Sequence, residues 1–329
     1  MKNNGKFIIS LDFELLWGVR DKRTIESYGE NLSNVWEVVP KMIELFEKYD
    51  VSATFATVGF LFAKDKNELL KYVPTEKPLY ENANLSPYNG HLQTLTKPEN
   101  NSYHFAASLI KLLQKYPKQE VASHTFSHYY CLEKGQTLAD FERDMSAAMA
   151  IAKDKNITLE SLVFPRNQFN EKYLKVCAEQ GISSYRGNEN VWFHEAASQN
   201  SEKWYKRAFR LLDAYWNVGG HHTYTLDEIA KTYPYNMPSS RFLRPFTPKL
   251  RFFEPLKFRR IQKSMTFAAK NKQVYHLWWH PHNFGKYQAE NFAFLEKILK
   301  HYASLQRKHN FESISMKNLA HFISQKNER

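Results

Sequence analysis

Glu120-Val121-Ala122-Ser123, followed at once by His124-Thr125-Phe126-Ser127-His128, is the stretch on which the reading of this chain turns. A short strand runs straight into two imidazoles spaced four residues apart. That spacing puts both on one face if the chain turns helical after the strand, as a bidentate metal grip requires. The position after His124 is Thr125, not Glu, which separates the segment from the zinc-protease helix. Alone, a His-x3-His pair is equally a solvated or core pair. Its meaning depends on what else reaches the same edge of the sheet.

Short apolar runs and helical patterns alternate on both sides of it. Phe7 to Leu11 is apolar enough for a strand buried on both faces. Val35, Val39, Met42, Ile43 and Phe46 recur at helical spacing, and Val51 to Val58 reads as a second strand. After the His pair come a helix through Leu138 to Ala152, a strand Ser161 to Phe164, a strand Ile182 to Tyr185 ending at Arg186, and a strand Val274 to Trp279 ending in His280. Such alternation marks βα units around a parallel sheet. Between about 196 and 272 the pattern loosens, so residues 1–329 read as a single α/β barrel domain with an irregular, basic, aromatic insertion at 196–272.

Composition narrows the class. The chain has 329 residues, a length that fits one α/β barrel of about 250 residues with additions. Hydrophobic residues make up 43% and charged residues 24%, which suits a buried core and excludes disorder or coiled coil as whole-chain readings. The opening MKNNGKFIISLDFELLWG meets Asp12 and Glu14 after a few apolar residues, which is no signal-peptide core. Cys131 and Cys177 make no disulfide framework. The expectation is a cytoplasmic protein. A formal net charge of +12 leaves nucleic acid, an anionic membrane or an anionic substrate as partners.

In α/β sheets the active site lies at the carboxyl ends of the strands. Four strand ends here carry Asp12 with Glu14, His124 with His128, Arg166 with Asn167, and His280 with His282. Two imidazoles and a carboxylate make a metal site with positions left for water, which then needs a base and an acid.

In this order the residues resemble the polysaccharide deacetylases of carbohydrate esterase family 4, the NodB-homology group. Ser10-Leu-Asp-Phe-Glu14 is similar to the first motif, His124-Thr-Phe-Ser-His128 to the second, Phe164-Pro-Arg-Asn-Gln168 stands where the third forms a groove wall, and Leu277-Trp-Trp-His280 resembles the last. The fourth motif is matched loosely by Arg186 to Trp192. The resemblance implies a distorted (β/α)7 barrel and a metal-dependent hydrolase that removes an N-acyl group, N-acetyl first, from an amino sugar or glycan precursor in surface polysaccharide biosynthesis. It makes Asp12 the base and His280 the acid, and it makes Glu14, His124 and His128 the ligands of one divalent ion, zinc first. Phe13 separates two acids that are adjacent in the usual motif, so the roles of Asp12 and Glu14 are exchangeable. Arg166, Asn167, Trp279 and His282 are expected to touch substrate. Deformylase, cyclic amide hydrolase and non-catalytic glycan binder are the alternatives.

Two further features stand apart. Gly219-Gly220-His221-His222 lacks a strand end and reads as substrate contact at most. Arg241 to Ser264 carries eight basic residues against Glu254 alone, with five phenylalanines interleaved. It is expected to touch an anionic membrane surface carrying a lipid-linked sugar, or a nucleotide-sugar pyrophosphate; equally, it is a basic surface whose phenylalanines pack on the barrel. No nucleic-acid motif accompanies the charge.

Overall fold

The structure, a computed structural model, describes residues 4–93, 95, 98–198 and 203–327. Its sheet is built from β1 (Lys6–Phe13), β2 (Ala53–Thr57), β3 (Gln119–Ser123), β4 (Ser161–Val163), β5 (Ser184–Arg186), β6 (Tyr235–Asn236), β7 (Arg241–Phe242) and β8 (Val274–Trp279). They stand side by side in the order β6-β5-β4-β3-β2-β1-β8-β7, each neighbouring pair parallel. A short β9 (Glu312–Ser313) pairs with the start of β1. The sheet curls into an open barrel whose two end strands, β6 and β7, are joined by residues 237–240.

Helices clothe the outside: α1 (Ile25–Ser33), α2 (Val35–Lys48), α3 (Lys66–Leu70), α4 (Ala107–Leu113), α5 (Leu138–Asp154), α6 (Leu174–Glu179), α7 (Trp204–Asp213), α8 (Leu226–Ile229), α9 (Glu254–Lys270), α10 (Gln288–His309) and α11 (Met316–Asn327). α2 buries Val35, Val38, Val39, Met42, Ile43 and Phe46, a stripe at i, i+3, i+4 spacing. Each such side chain contributes about 1.5–3 kcal/mol on burial. Thr137 starts α5 with a capping box closed by Asp140.

Strand alternation divides the interior from the helical layer. Phe7, Ile9, Leu11 and Phe13 of β1 pack in the main apolar core with α2, and Tyr275, Leu277 and Trp279 of β8 join them. Ile8 belongs to a second core with Met237, Val274 and Ile314 inside the barrel. Above it the interior is polar: His276 Nε2 lies 2.8 Å from the Ser10 hydroxyl, which also accepts from Arg186 at 3.0 Å. Burial pushes the His276 imidazole down to about 3, with Arg186 adding to the effect.

The stretch from 196 to 272 differs from its expectation as an irregular insertion. It supplies both end strands of the barrel and the 17-residue helix α9. The signal was hidden because two-residue strands show no periodicity and α9 buries Lys257 and Arg260 on its inner face.

Candidate active site

Glu14 leaves β1 just past its last residue, and its carboxyl lies over Gly18, where a Cβ would sit 1.9 Å from the Glu14 side chain. Glycine at 18 thus makes the room that Glu14 occupies. His124 follows β3 directly, but the expected helical turn does not form. Residues 124–128 make an irregular loop with Thr125 and His128 in the left-handed region, at φ 62° and 60°. Such backbone costs energy unless its surroundings hold it. Here Asp144 of α5 accepts from the Phe126 and Ser127 amides at 2.7 and 3.1 Å, and the Thr125 hydroxyl accepts from the Tyr129 amide at 2.7 Å. The loop brings the two imidazoles to 5.0 Å between ring centroids.

Glu14 Oε2 lies 3.0 Å from His128 Nε2 and 3.4 Å from His124 Nε2, and one ligand atom from each residue falls within 4.8 Å of the others. His124 Nδ1 donates to the Val163 carbonyl at 2.8 Å, which leaves Nε2 as the lone-pair nitrogen; it is buried without a hydrogen-bond partner among the described residues. Burial pushes His128 down to about 4, so its imidazole is neutral near pH 7. Burial pushes the Glu14 carboxyl up, but His280, His124 and His128 outweigh it and hold Glu14 well below the usual range. The unpartnered His124 Nε2, the His128 Nε2 that contacts Glu14, and the Glu14 carboxylate converge in a buried cradle and fit a divalent cation such as zinc.

Asp12, inside β1, is gripped by Arg186 from both oxygens, at 2.7 and 2.8 Å. Burial alone would raise the Asp12 carboxyl; Arg186 first and then His124 reverse that and keep it ionised. His280 places Nε2 3.7 Å from Asp12 and 3.5 Å from Glu14. Its Nδ1 faces Asn283 Oδ1 at 3.3 Å. His282 is buried against it, rings stacked at 5.0 Å, and burial and then His280 hold His282 down to about 3. The turn carrying both is pinned from α1 and the residue after it: Asn31 donates to the His282 carbonyl and Asn34 to that of Gly285.

The structure thus brings together Asp12, Glu14, His124, His128, His280 and His282. Arg166 lies apart from Asp12: it pairs with Asp21 at 2.6 Å and covers the Tyr130 ring. Asn167 accepts from Arg186 at 2.9 Å. Trp279 is corrected. It points into the helical layer, where it stacks on Phe284 and is fully buried. Trp278, one residue earlier and facing the interior, lies over Arg186 at 4.1 Å and 5.6 Å from the His280 ring. Arg186 was missed as well, although it ends a strand by the same rule that found the histidines.

Among solved structures, the chain is similar to a protein from Mycobacterium smegmatis described as a polysaccharide deacetylase, with a TM-score of 0.62 at 11% identity over 99% of this chain and 92% of that one. The fold is that of the polysaccharide deacetylases. A second such protein, from Pseudomonas aeruginosa, gives a TM-score of 0.53 at 10% identity, covering 99% and 93%. An allantoinase gives 0.51 at 10% identity, covering 97% and 90%, so the deacetylase fold also serves a second activity. No protein-family model and no curated protein matches the sequence. No helix among the described residues is long and apolar enough to cross a membrane.

Proposed function

We propose that the chain is a metal-dependent hydrolase that removes an N-acyl group, N-acetyl first, from an amino sugar or glycan precursor of surface polysaccharide, working in the cytoplasm. The observation that carries this reading is the gathering of four imidazoles within 3.9 Å of Glu14, with the arginine-held Asp12 beside them. Glu14, His124 and His128 would hold the ion. When bound, it would polarise the amide carbonyl and acidify water.

The rest falls to the chain's own groups. Asp12, kept ionised by Arg186, takes a proton from the attacking water. His280, more exposed than the other three imidazoles, gives a proton to the departing nitrogen, which otherwise leaves poorly. Arg186 is a positioning residue that fixes both Asp12 oxygens. Trp278 offers a ring face for a sugar, with Asn167 and Arg166 at the rim.

The test is acetate release from N-acetylglucosamine and its oligomers by the zinc-loaded chain. Release should stop with chelator, return with zinc, and be absent from His124→Ala, which should also take up no ion. Release that persists in His124→Ala, or a wild-type chain that takes up no divalent ion, overturns the reading. Ring opening of a cyclic amide without acetate release would move the activity to that class.

A further inference from the structure

Beside the catalytic cluster, sharing Asn167 and Trp278 with it, lies a pocket of about 230 Å³ lined also by Glu189, Arg210, Asp213, Arg241 and Arg244. Asp213 is saturated. It accepts from Arg241 at 2.8 Å, Arg260 at 3.3 Å, and the amides of Val218 and Gly219 at 3.0 and 2.8 Å. Arg241 is 5% exposed, and its Nε has no hydrogen-bond partner among the described residues. Arg244 has no carboxylate partner among them, and its charged neighbours are Arg210 and Arg241. Three guanidiniums, those of Arg210, Arg241 and Arg244, line the pocket with Arg260 behind, beside two carboxylates, Glu189 and Asp213. The Arg244 guanidinium and the unpartnered Arg241 Nε are thus left without a carboxylate in a partly desolvated place.

We propose that this pocket is a phosphoryl subsite, so that the substrate is an N-acyl amino sugar carrying a phosphate or pyrophosphate substituent. The inference rests on the N-deacylase reading above. A phosphoryl group offers three oxygens to Arg244 and Arg241, where a sugar carboxylate offers two, and guanidinium forks match them. Phe242, which lines the pocket, lies 5.9 Å from the His280 ring. A sugar stacked along Trp278 spans the distance.

The test is calorimetry on chelator-treated protein with N-acetylglucosamine 1-phosphate, N-acetylglucosamine and glucuronate as probes. The phosphorylated sugar should bind at least tenfold tighter than the neutral one, and Arg244→Gln should erase that difference while leaving neutral-sugar binding unchanged. Equal affinities, an unaffected Arg244→Gln, or a preference for glucuronate would overturn the proposal. Replacing the probe by UDP-N-acetylglucosamine or by a prenyl-phosphate-linked N-acetylglucosamine in micelles tells a soluble carrier from a lipid one. Binding needs no turnover, so a phosphoryl preference without acetate release leaves the subsite standing and removes the catalytic reading. Release from neutral sugar without that preference does the reverse.

A second inference has independent support. α7 lines this pocket with Arg210 and Asp213 on one side and exposes Trp204, Leu211 and Leu212 on the other, and Trp216, Phe252 and Phe253 extend the apolar face. Trp204 and Phe252 are each 77% exposed. Lys203, Arg207, Lys249 and Arg251 accompany them, Lys206 pairs with Glu195 at 3.1 Å, and residues 203–218 and 243–253 hold one acid, the buried Asp213. We infer that this face docks on an anionic bilayer, moving the expected contact away from Arg241, Lys257 and Arg260, which are buried. The protein should sediment with phosphatidylglycerol vesicles at low salt, not with phosphatidylcholine. Trp204→Glu with Phe252→Glu should cut the bound fraction at least tenfold with acetate release in solution unchanged. No retention on anionic vesicles, or burial of this face in a dimer seen by sedimentation velocity, would overturn it.

Discussion

Two buried charge clusters sit side by side in this barrel with opposite imbalances. Around Asp12 and Glu14, two carboxylates face one guanidinium, Arg186, and imidazoles that burial keeps neutral at His128 and His282. Around Asp213, one saturated carboxylate holds Arg241 and Arg260 with further arginines close by. Buried charge is costly unless paired, so an imbalance kept in a folded chain marks the charge of what it awaits. The first cluster is short of positive charge, as a cation site is; the second is short of negative charge.

The largest effect should come from breaking the first cluster at its base. Asp12→Asn keeps the shape but cannot take a proton, and turnover should fall about 10³-fold, within the span of general-base contributions. Elemental analysis should still find the ion, because Asp12 is not among Glu14, His124 and His128. Turnover within tenfold of wild type would exchange the roles of Asp12 and Glu14. In the second cluster the loss should appear in stability. Asp213→Ala leaves two buried guanidiniums unpaired, and the chain should lose about 3–5 kcal/mol in urea unfolding. A loss under about 1 kcal/mol would mean that the arginines find other partners.

A smaller effect separates metal from fold. Gly18→Ala places a methyl where the Glu14 carboxyl lies, so ion affinity should drop by about ten- to a hundredfold in chelator competition while circular dichroism is unchanged. Unaltered affinity would show that Glu14 reaches its ligands from another rotamer.

The two clusters differ in how far the sequence revealed them. Asp12, Glu14, His124, His128 and His280 each lie at or just past a strand of visible pattern, so position along the chain was enough to group them. β8 was legible to the residue, yet which face its two tryptophans take depends on a register that alternates every residue and flips with a slip of one. Arg186 ends β5, a three-residue strand whose closure onto β1 only the curled sheet makes visible. The Asp213 cluster draws on α7, β7 and α9, whose charged residues read as surface because burial of a paired arginine leaves no mark on hydropathy.

Another buried carboxylate, Asp144, has no guanidinium partner among the described residues, and it shows what hydrogen bonds alone accomplish. It holds the His124–His128 loop by accepting from two amides and the Ser127 hydroxyl. Burial nevertheless outweighs those donors and pushes it up to about 7, from an ordinary value of 3.8. The folded state therefore binds a proton between these values that the unfolded state has released. The stabilisation this brings is fully present below about pH 4 and is lost as pH rises through 7. Between pH 6 and 8 the loss from this one group amounts to about 1 kcal/mol, or about 2–4 °C in Tm for a chain of this size. Asp144→Asn cannot titrate, so its Tm should lack that decline. A variant whose decline from pH 6 to 8 equals that of wild type would assign the titration elsewhere and leave Asp144 ionised, balanced by its donors alone.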